Sequence, residues 1–197
     1  MDTANSKQSD LDKRYIRMAS IWSENSYCQR RKVGALIVKD KMIISDGYNG
    51  TPSGFENVCE DDNNVTKPYV LHAEANAITK IARSNNSSDG ATMYVTASPC
   101  IECAKLIIQA GIKRVVYSEH YRLEDGIELL KRAGIEVVFV DTSEKWNNIQ
   151  KQLTTTQLSG SLSSVANNYK KIWVQRTLHG LPYKQTVVYH HDTVTGH

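Results

Sequence analysis

From residue 92 to residue 140 the chain alternates short β-branched apolar runs with amphipathic stretches, and this cadence constrains its fold more than any other feature. Thr92-Met93-Tyr94-Val95-Thr96 predicts a strand. Pro99 suits the first turn of a following helix, which runs to about Ala110 and stops at Gly111. Lys113 to Tyr117 predicts a strand, Asp125 to Ala133 a helix closed by Gly134, and Glu136 to Val140 a strand. Strands alternating with helices imply a largely parallel sheet with helices on both faces. Upstream, Val33 to Val38 and Met42 to Tyr48 flank an Asp40-Lys41 turn and predict a hairpin, expected to make one pairing antiparallel.

The remaining segments fill in around this frame. Residues 1–9 are polar and read as a frayed end, with Asp10 capping a helix whose Leu11, Tyr15, Met18 and Trp22 recur at helical spacing. Residues 49–69 form a long polar loop, and a loop of that length within a domain is usually functional. A helix is expected from about His72 to Arg83, with Ala75, Ile78, Ala82 and Ile81 facing inward. Thr154 to Ser164, rich in Thr, Ser and Gly, reads as a linker. Beyond it, Lys171 to Leu178 and Tyr183 to Tyr189 predict a hairpin. The expected organisation is a polar end over 1–9, one domain over 10–140 and an extension over 141–197.

Composition narrows the function. Hydrophobic residues make up 40% of the 197 and charged residues 23%, as in a globular protein. No apolar run approaches the roughly 18 residues of a membrane span. The first residues lack the basic and apolar regions of a secretion signal, so a cytoplasmic location is expected. The formal net charge is +3, spread over short clusters such as Arg30-Arg31-Lys32 and Lys170-Lys171. That pattern argues against a nucleic-acid partner, which needs a concentrated basic patch. Four cysteines occur, and a reducing cytosol disfavours two disulfides. Cys28 and Cys59 are therefore read as passive thiols, whereas Cys100 and Cys103 have metal-ligand spacing.

The chemistry lies in His72-Ala73-Glu74 and Pro99-Cys100-Ile101-Glu102-Cys103, each at the start of a predicted helix. The positive helix end favours thiolates. One imidazole and two thiolates leave tetrahedral zinc a fourth position for water, whose pKa falls to near 7. Glu74, two residues after His72, is placed to move protons without ligating the metal. The order H-x-E…P-C-x-x-C is the signature of zinc nucleobase deaminases. A structural zinc would need a fourth protein ligand, from Cys28, Cys59 or a distant histidine.

At these residues the sequence resembles the deoxycytidylate (dCMP) deaminase family. The likeness extends to Arg31-Lys32-Val33-Gly34-Ala35, to Gly47-Tyr48-Asn49-Gly50-Thr51-Pro52-Ser53-Gly54, to 67–78 and to 103–113, and covers roughly residues 10–140. The resemblance implies a three-layer α/β/α cytidine-deaminase-like fold with a five-stranded mixed sheet. It implies hydrolysis of dCMP to dUMP and ammonia, with His72, Cys100 and Cys103 holding one zinc ion and Glu74 catalytic. It implies that Asn49 bonds the deoxyribose and that Arg83 and Tyr121 help hold the substrate near its phosphate. It further implies a homohexamer activated by dCTP with Mg2+ and inhibited by dTTP, with Lys32, Asn49, Gly50 and Asp61 as candidate effector contacts. Some relatives hold a second zinc with cysteines and histidines; here the twelve residues between Cys59 and His72 include no histidine.

Several of these residues admit a plainer reading. Arg83 at a helix end satisfies carbonyls equally well. Tyr121 fits an ordinary half-buried tyrosine, and Asn49 a turn. Two rival functions also stand beside the free-nucleotide enzyme. One is a deaminase acting on cytosine in single-stranded nucleic acid. The other is a non-catalytic, zinc-stabilised nucleotide sensor, in which Glu74 has no task.

Overall fold

A computed structural model describes residues 2–121 and 123–142, together with the backbone of 169–178 and 181–190. The chain divides into two units, residues 1–142 and 143–197. In the first, the elements run α1 (Asp2–Ser23), β1 (Gly34–Lys39), β2 (Met42–Tyr48), α2 (Ala73–Ile81), β3 (Thr92–Ala97), α3 (Ile101–Gln109), β4 (Arg114–Glu119), α4 (Asp125–Arg132) and β5 (Glu136–Phe139). No helix among the described residues is long and apolar enough to cross a membrane.

The sheet order is β2-β1-β3-β4-β5. β3, β4 and β5 pair in parallel, as the alternation with helices requires. The expectation of a single antiparallel pairing is corrected: β1 runs antiparallel both to β2 and to β3. The hairpin turns at Asp40 and Lys41, both with positive φ, and β1, not β2, lies beside β3.

Alternation along β1 builds two cores. Ala35 and Ile37 join Ala73, Ala77, Met93, Val95, Ala104, Ile107 and Leu130 beneath α2, α3 and α4. Leu36 and Val38 join Ile16, Ala19, Tyr94 and Val116 beneath α1. The layers are therefore α1, the sheet, and α2 to α4, which is the three-layer α/β/α arrangement.

Two helix expectations need correction. α1 begins at Asp2, not at Asp10, and Gln8 donates to Asp12 one turn on at 2.9 Å. The polar start of the chain is compatible with a helix because Lys and Gln lose little rotamer freedom there. In α2 the inward residues are Ala73, Ala77 and Ile81; Ala75 is half-buried and Ala82 exposed. Gly47 of β2 explains the choice of face, since a Cβ there would strike the Ala73 carbonyl and the backbone of Ala77. Small residues on the facing helix allow that close approach.

One buried ion pair ties α1 to the sheet. Arg114 donates twice to Asp12, both bonds at 2.8 Å, and the Tyr94 hydroxyl donates to the same carboxylate at 2.9 Å. Asp12 is 3% exposed.

The second unit contains an antiparallel hairpin, β6 (Tyr169–Leu178) with β7 (Leu181–His190), in register from Tyr169↔His190 to Leu178↔Leu181. The expected hairpin is present and somewhat longer than its sequence pattern. The expected linker over 154–164 lies outside the described residues.

Candidate active site

His72 is the N-cap of α2 and Cys100 the N-cap of α3. The sequence places both at helix starts, and the parallel-sheet frame brings those starts together. His72 Nδ1 lies 3.5 Å from Cys100 Sγ and 3.4 Å from Cys103 Sγ. Ideal tetrahedral zinc, with bonds of about 2.3 Å to sulfur and 2.0 Å to nitrogen, separates such atoms by roughly 3.5 Å. The three donors lie within 4.8 Å of one another and form the only potential metal-binding group of this kind among the described residues. Donor chemistry and spacing both fit zinc.

The charges agree with that fit. The Cys100 thiol is held down to about 3, chiefly by the hydrogen bond it receives from Cys103. The hydrogen bond that Cys103 donates to Cys100, together with burial, pushes its own thiol up. Without metal the pair shares a proton; a cation between them makes thiolates of both. The hydrogen bond to Cys100 raises the His72 pKa, against the opposing effect of burial.

Glu74 is 4% exposed, and burial pushes its carboxyl above the usual range. It is not among the ligand group yet shares its cavity. Gly126, at the start of α4, backs the other half of the site. A Cβ there would strike the Pro99 carbonyl and lie 2.8 Å from the Cys100 carbonyl carbon.

The cavity holds about 530 Å³. His72, Glu74 and Cys100 line it together with Arg30, Arg31, Glu60, Thr66, His120 and Tyr121. Arg31 pairs with Glu119 at 2.7 Å and its guanidinium carbon stands 5.8 Å from the Tyr121 ring centroid. Arg30 donates to Thr66 Oγ1 at 3.3 Å, and Glu60 accepts from the backbone N–H of Gln29 and of Arg30.

Asn49 also lines this cavity. Its Oδ1 accepts from Val33 N–H at 2.7 Å and its Nδ2 donates to the Arg31 carbonyl at 2.8 Å. Each end of the amide retains capacity for one more bond. Tyr121 is anchored by its backbone N–H to Ser98 Oγ at 2.7 Å. Arg83 is placed elsewhere, exposed just beyond α2 and outside the cavity lining.

The four effector candidates do not converge. Lys32 lines a second cavity of about 520 Å³ with Glu24, Tyr27 and Tyr48. Gly50 exchanges backbone hydrogen bonds with Leu71. Asp61 accepts from Asn63 and Val65 N–H inside its own exposed loop.

Sequence reasoning missed Arg30, Arg31, Glu60, Thr66 and His120. The Arg30-Arg31-Lys32 cluster was the available signal, but Arg30 and Arg31 received no substrate role from it. It also missed the pairing of Cys28 with Cys59, which form a disulfide across 31 positions. The reading of these two as passive thiols is corrected, because the loop after α1 and the 49–71 loop pack side by side.

Comparison with known proteins decides the family. The profile described as "Cytidine and deoxycytidylate deaminase zinc-binding region" matches residues 9–119. The chain belongs to the cytidine and deoxycytidylate deaminase family. His72, Cys100 and Cys103 all fall within the matched zinc-binding region. The deoxycytidylate deaminase of Enterobacteria phage T4 is 38% identical over 181 residues, covering 68% of this chain and 94% of that protein. The ComE operon protein 2 of Bacillus subtilis is 34% identical over 159 residues, covering 78% and 83%. The crystal structure of cyanophage S-TIM5 dCMP deaminase in complex with dCMP and dUMP is 44% identical with a TM-score of 0.64, covering 71% of this chain and 99% of that one. This deaminase is thus a hydrolase, and the matched region lies within the first unit.

Proposed function

We propose that the chain hydrolyses dCMP to dUMP and ammonia. One observation carries this reading: two donors of a three-donor zinc site, His72 and Cys100, line one cavity with a buried carboxylate and two arginines. The phage T4 and S-TIM5 relatives support dCMP as the substrate.

His72, Cys100 and Cys103 would hold the zinc, which would supply Lewis acidity and a lowered pKa for water at that position. Glu74 accepts a proton from the attacking water and passes it to ring N3. It then takes the proton of the hydroxyl now on C4 and delivers it to the amino group, so that the C4–N bond breaks, ammonia leaves and the C4 carbonyl forms. A carboxyl whose pKa is raised by burial suits both directions of transfer. Arg30 and Arg31 are the cavity's cationic side chains and receive the 5′-phosphate. Asn49 meets the sugar, Tyr121 closes the side beneath Arg31, and Arg83 has no contact with substrate in the same chain.

The resemblance extends this reading to a cytoplasmic homohexamer that supplies dUMP for thymidylate synthesis, with dCTP and Mg2+ activating and dTTP inhibiting. Lys32 in the second cavity is the best-placed contact for such a triphosphate.

The test is direct. The zinc-loaded chain is incubated with dCMP, dCTP, cytidine and a cytosine-containing oligonucleotide, and loss of cytosine absorbance is followed. Turnover of dCMP is expected. Turnover of the oligonucleotide alone would move the function to nucleic-acid editing, and turnover of none would favour the sensor.

A further inference from the structure

The Cys28–Cys59 pair has no part in the proposed chemistry, yet it sits behind the substrate cavity. Cys59 is fully buried and Cys28 is 2% exposed. Cys28 lines both cavities although only 2% of it is exposed, so exchange at its sulfur needs the loop to open. The bond joins the turn that carries Arg30 to the loop that carries Glu60 and Thr66.

The geometry points to a redox-controlled clasp: oxidation of Cys28 and Cys59 fixes the cavity's outer wall, and reduction releases it. Three observations support this. The reduced state has a partner ready, since Cys28 Sγ lies 3.7 Å from the Asn49 carbonyl oxygen, so the thiol is not orphaned. No histidine or carboxylate joins the two sulfurs in a potential metal group among the described residues. The clasp also bears on substrate-facing groups through short links. Cys59 is next to Glu60, which accepts from Gln29 and Arg30 N–H, and Cys28 N–H is bonded to Ser26 Oγ, which in turn donates to the Asn49 carbonyl at 2.7 Å. In a reducing compartment a surviving disulfide is usually a sensor, not a structural bond.

The oxidant is a low-molecular-weight disulfide. The Cys28 thiolate attacks one of its sulfurs and expels the first thiolate. The Cys59 thiolate then attacks the Cys28 sulfur of the mixed disulfide and expels the second. Two electrons pass from the cysteines to the reagent, and the two cysteine protons end on the released thiols. A dithiol reductant reverses the sequence.

The consequence for turnover rests on the deaminase reading; the consequence for the loop does not. Full-length, zinc-loaded protein is treated with oxidised glutathione or with dithiothreitol, and zinc content is checked in both states. Maleimide labelling after unfolding with chelator should find two free thiols in the oxidised sample and four in the reduced one. Limited proteolysis within residues 50–69 should be at least threefold faster after reduction. The KM for dCMP should rise at least threefold, with kcat changing less than twofold. Cys59→Ser should behave as the reduced protein and ignore both reagents; should that variant misfold, reversible cycling of the wild type carries the test. Four thiols after oxidation, equal cleavage in both states, or a second zinc held by these cysteines would overturn the clasp. A protein that shows the thiol and cleavage changes but deaminates nothing would instead sink the function proposed above.

Discussion

Two halves of the site, an inner one formed by the metal donors with Glu74 and an outer one formed by the remaining charged and aromatic residues, are built in different ways. The inner groups, His72, Glu74, Cys100 and Cys103, come from two short motifs at the starts of α2 and α3. Each is set by a helix terminus, backed by glycine-permitted packing at Gly47 or Gly126, and Glu74 and Cys103 are buried. The outer groups come from three stretches far apart in sequence: Arg30 and Arg31, Glu60 and Thr66, and His120 and Tyr121. The bonds that hold them are largely exposed. Chemistry is thus placed by local geometry, and recognition by loops brought together only when the domain folds. Damage to the inner half should therefore appear in metal binding and kcat, and damage to the outer half in KM.

The largest effects belong to the inner half. Cys100→Ser should lose the zinc and with it all measurable turnover, read by elemental analysis alongside a dCMP assay. Glu74→Ala should keep zinc and lose at least about a hundredfold in kcat, the lower end for a general acid–base group. Zinc retained by the serine variant, or an active alanine variant, would break the inner half of the comparison.

The inner half is also the half that was legible. H-x-E and P-C-x-x-C declare themselves in sequence because metal ligation needs particular residues at fixed spacing. The strand–helix cadence gave β3 to β5 for the same reason, since alternation is local. What stayed hidden depends on which segments meet. The second antiparallel pairing follows from β1 lying beside β3, and no residue in β1 announces its neighbour. Arg31 joins Glu119 across 88 positions, and Cys28 joins Cys59 across 31. The inward face of α2 was misjudged because Gly47 of another element selects it. Arg83 was placed near substrate by resemblance alone, and the fold of the single chain puts it outside the cavity.

A control for both halves is the frame beneath them. Removing one partner of a buried ion pair costs about 3 kcal/mol, so Asp12→Ala should lower unfolding stability by that order and leave kcat and KM of the folded fraction alike. Burial alone would raise the Asp12 carboxyl. Hydrogen bonds from Arg114, Gln8 and Tyr94 outweigh it and hold the carboxyl below its ordinary 3.8. A depressed folded value means this stabilisation is complete above the unfolded value and is lost as pH falls through the lower, folded value. The gap between denaturant melts of wild type and Asp12→Ala should therefore begin to narrow below about pH 3.8 and close only below the depressed folded value. Melts that coincide at neutral pH would show that the pair contributes nothing, and a gap unchanged as pH falls would show that the loss does not come from the Asp12 charge.

Arg31→Ala probes the outer half. Loss of a cation from a phosphate should raise the KM for dCMP about tenfold, near 1.4 kcal/mol, with kcat little changed. Cytidine, lacking the phosphate, should be processed no worse than by the wild type. A variant whose defect is equal for dCMP and cytidine would show that Arg31 supports the fold and not the ligand.

The smallest effect sharpens the comparison most. Glu119 pairs with Arg31 at 2.7 Å, with side-chain exposures of 63% and 34%. Exposed pairs of this kind contribute about 0–1 kcal/mol, so Glu119→Gln should barely alter stability. Its effect on recognition has a definite sign. The carboxylate competes with the substrate phosphate for the same guanidinium, and removing it leaves Arg31 more available. The KM for dCMP should therefore fall, by no more than about fivefold. The difference from wild type should shrink as salt screens both charges. A rise in KM would mean that Glu119 chiefly holds Arg31 in its productive position over Tyr121. A fall in kcat beyond tenfold would mean that inner and outer halves are coupled, and the division of labour between helix termini and loops would fail.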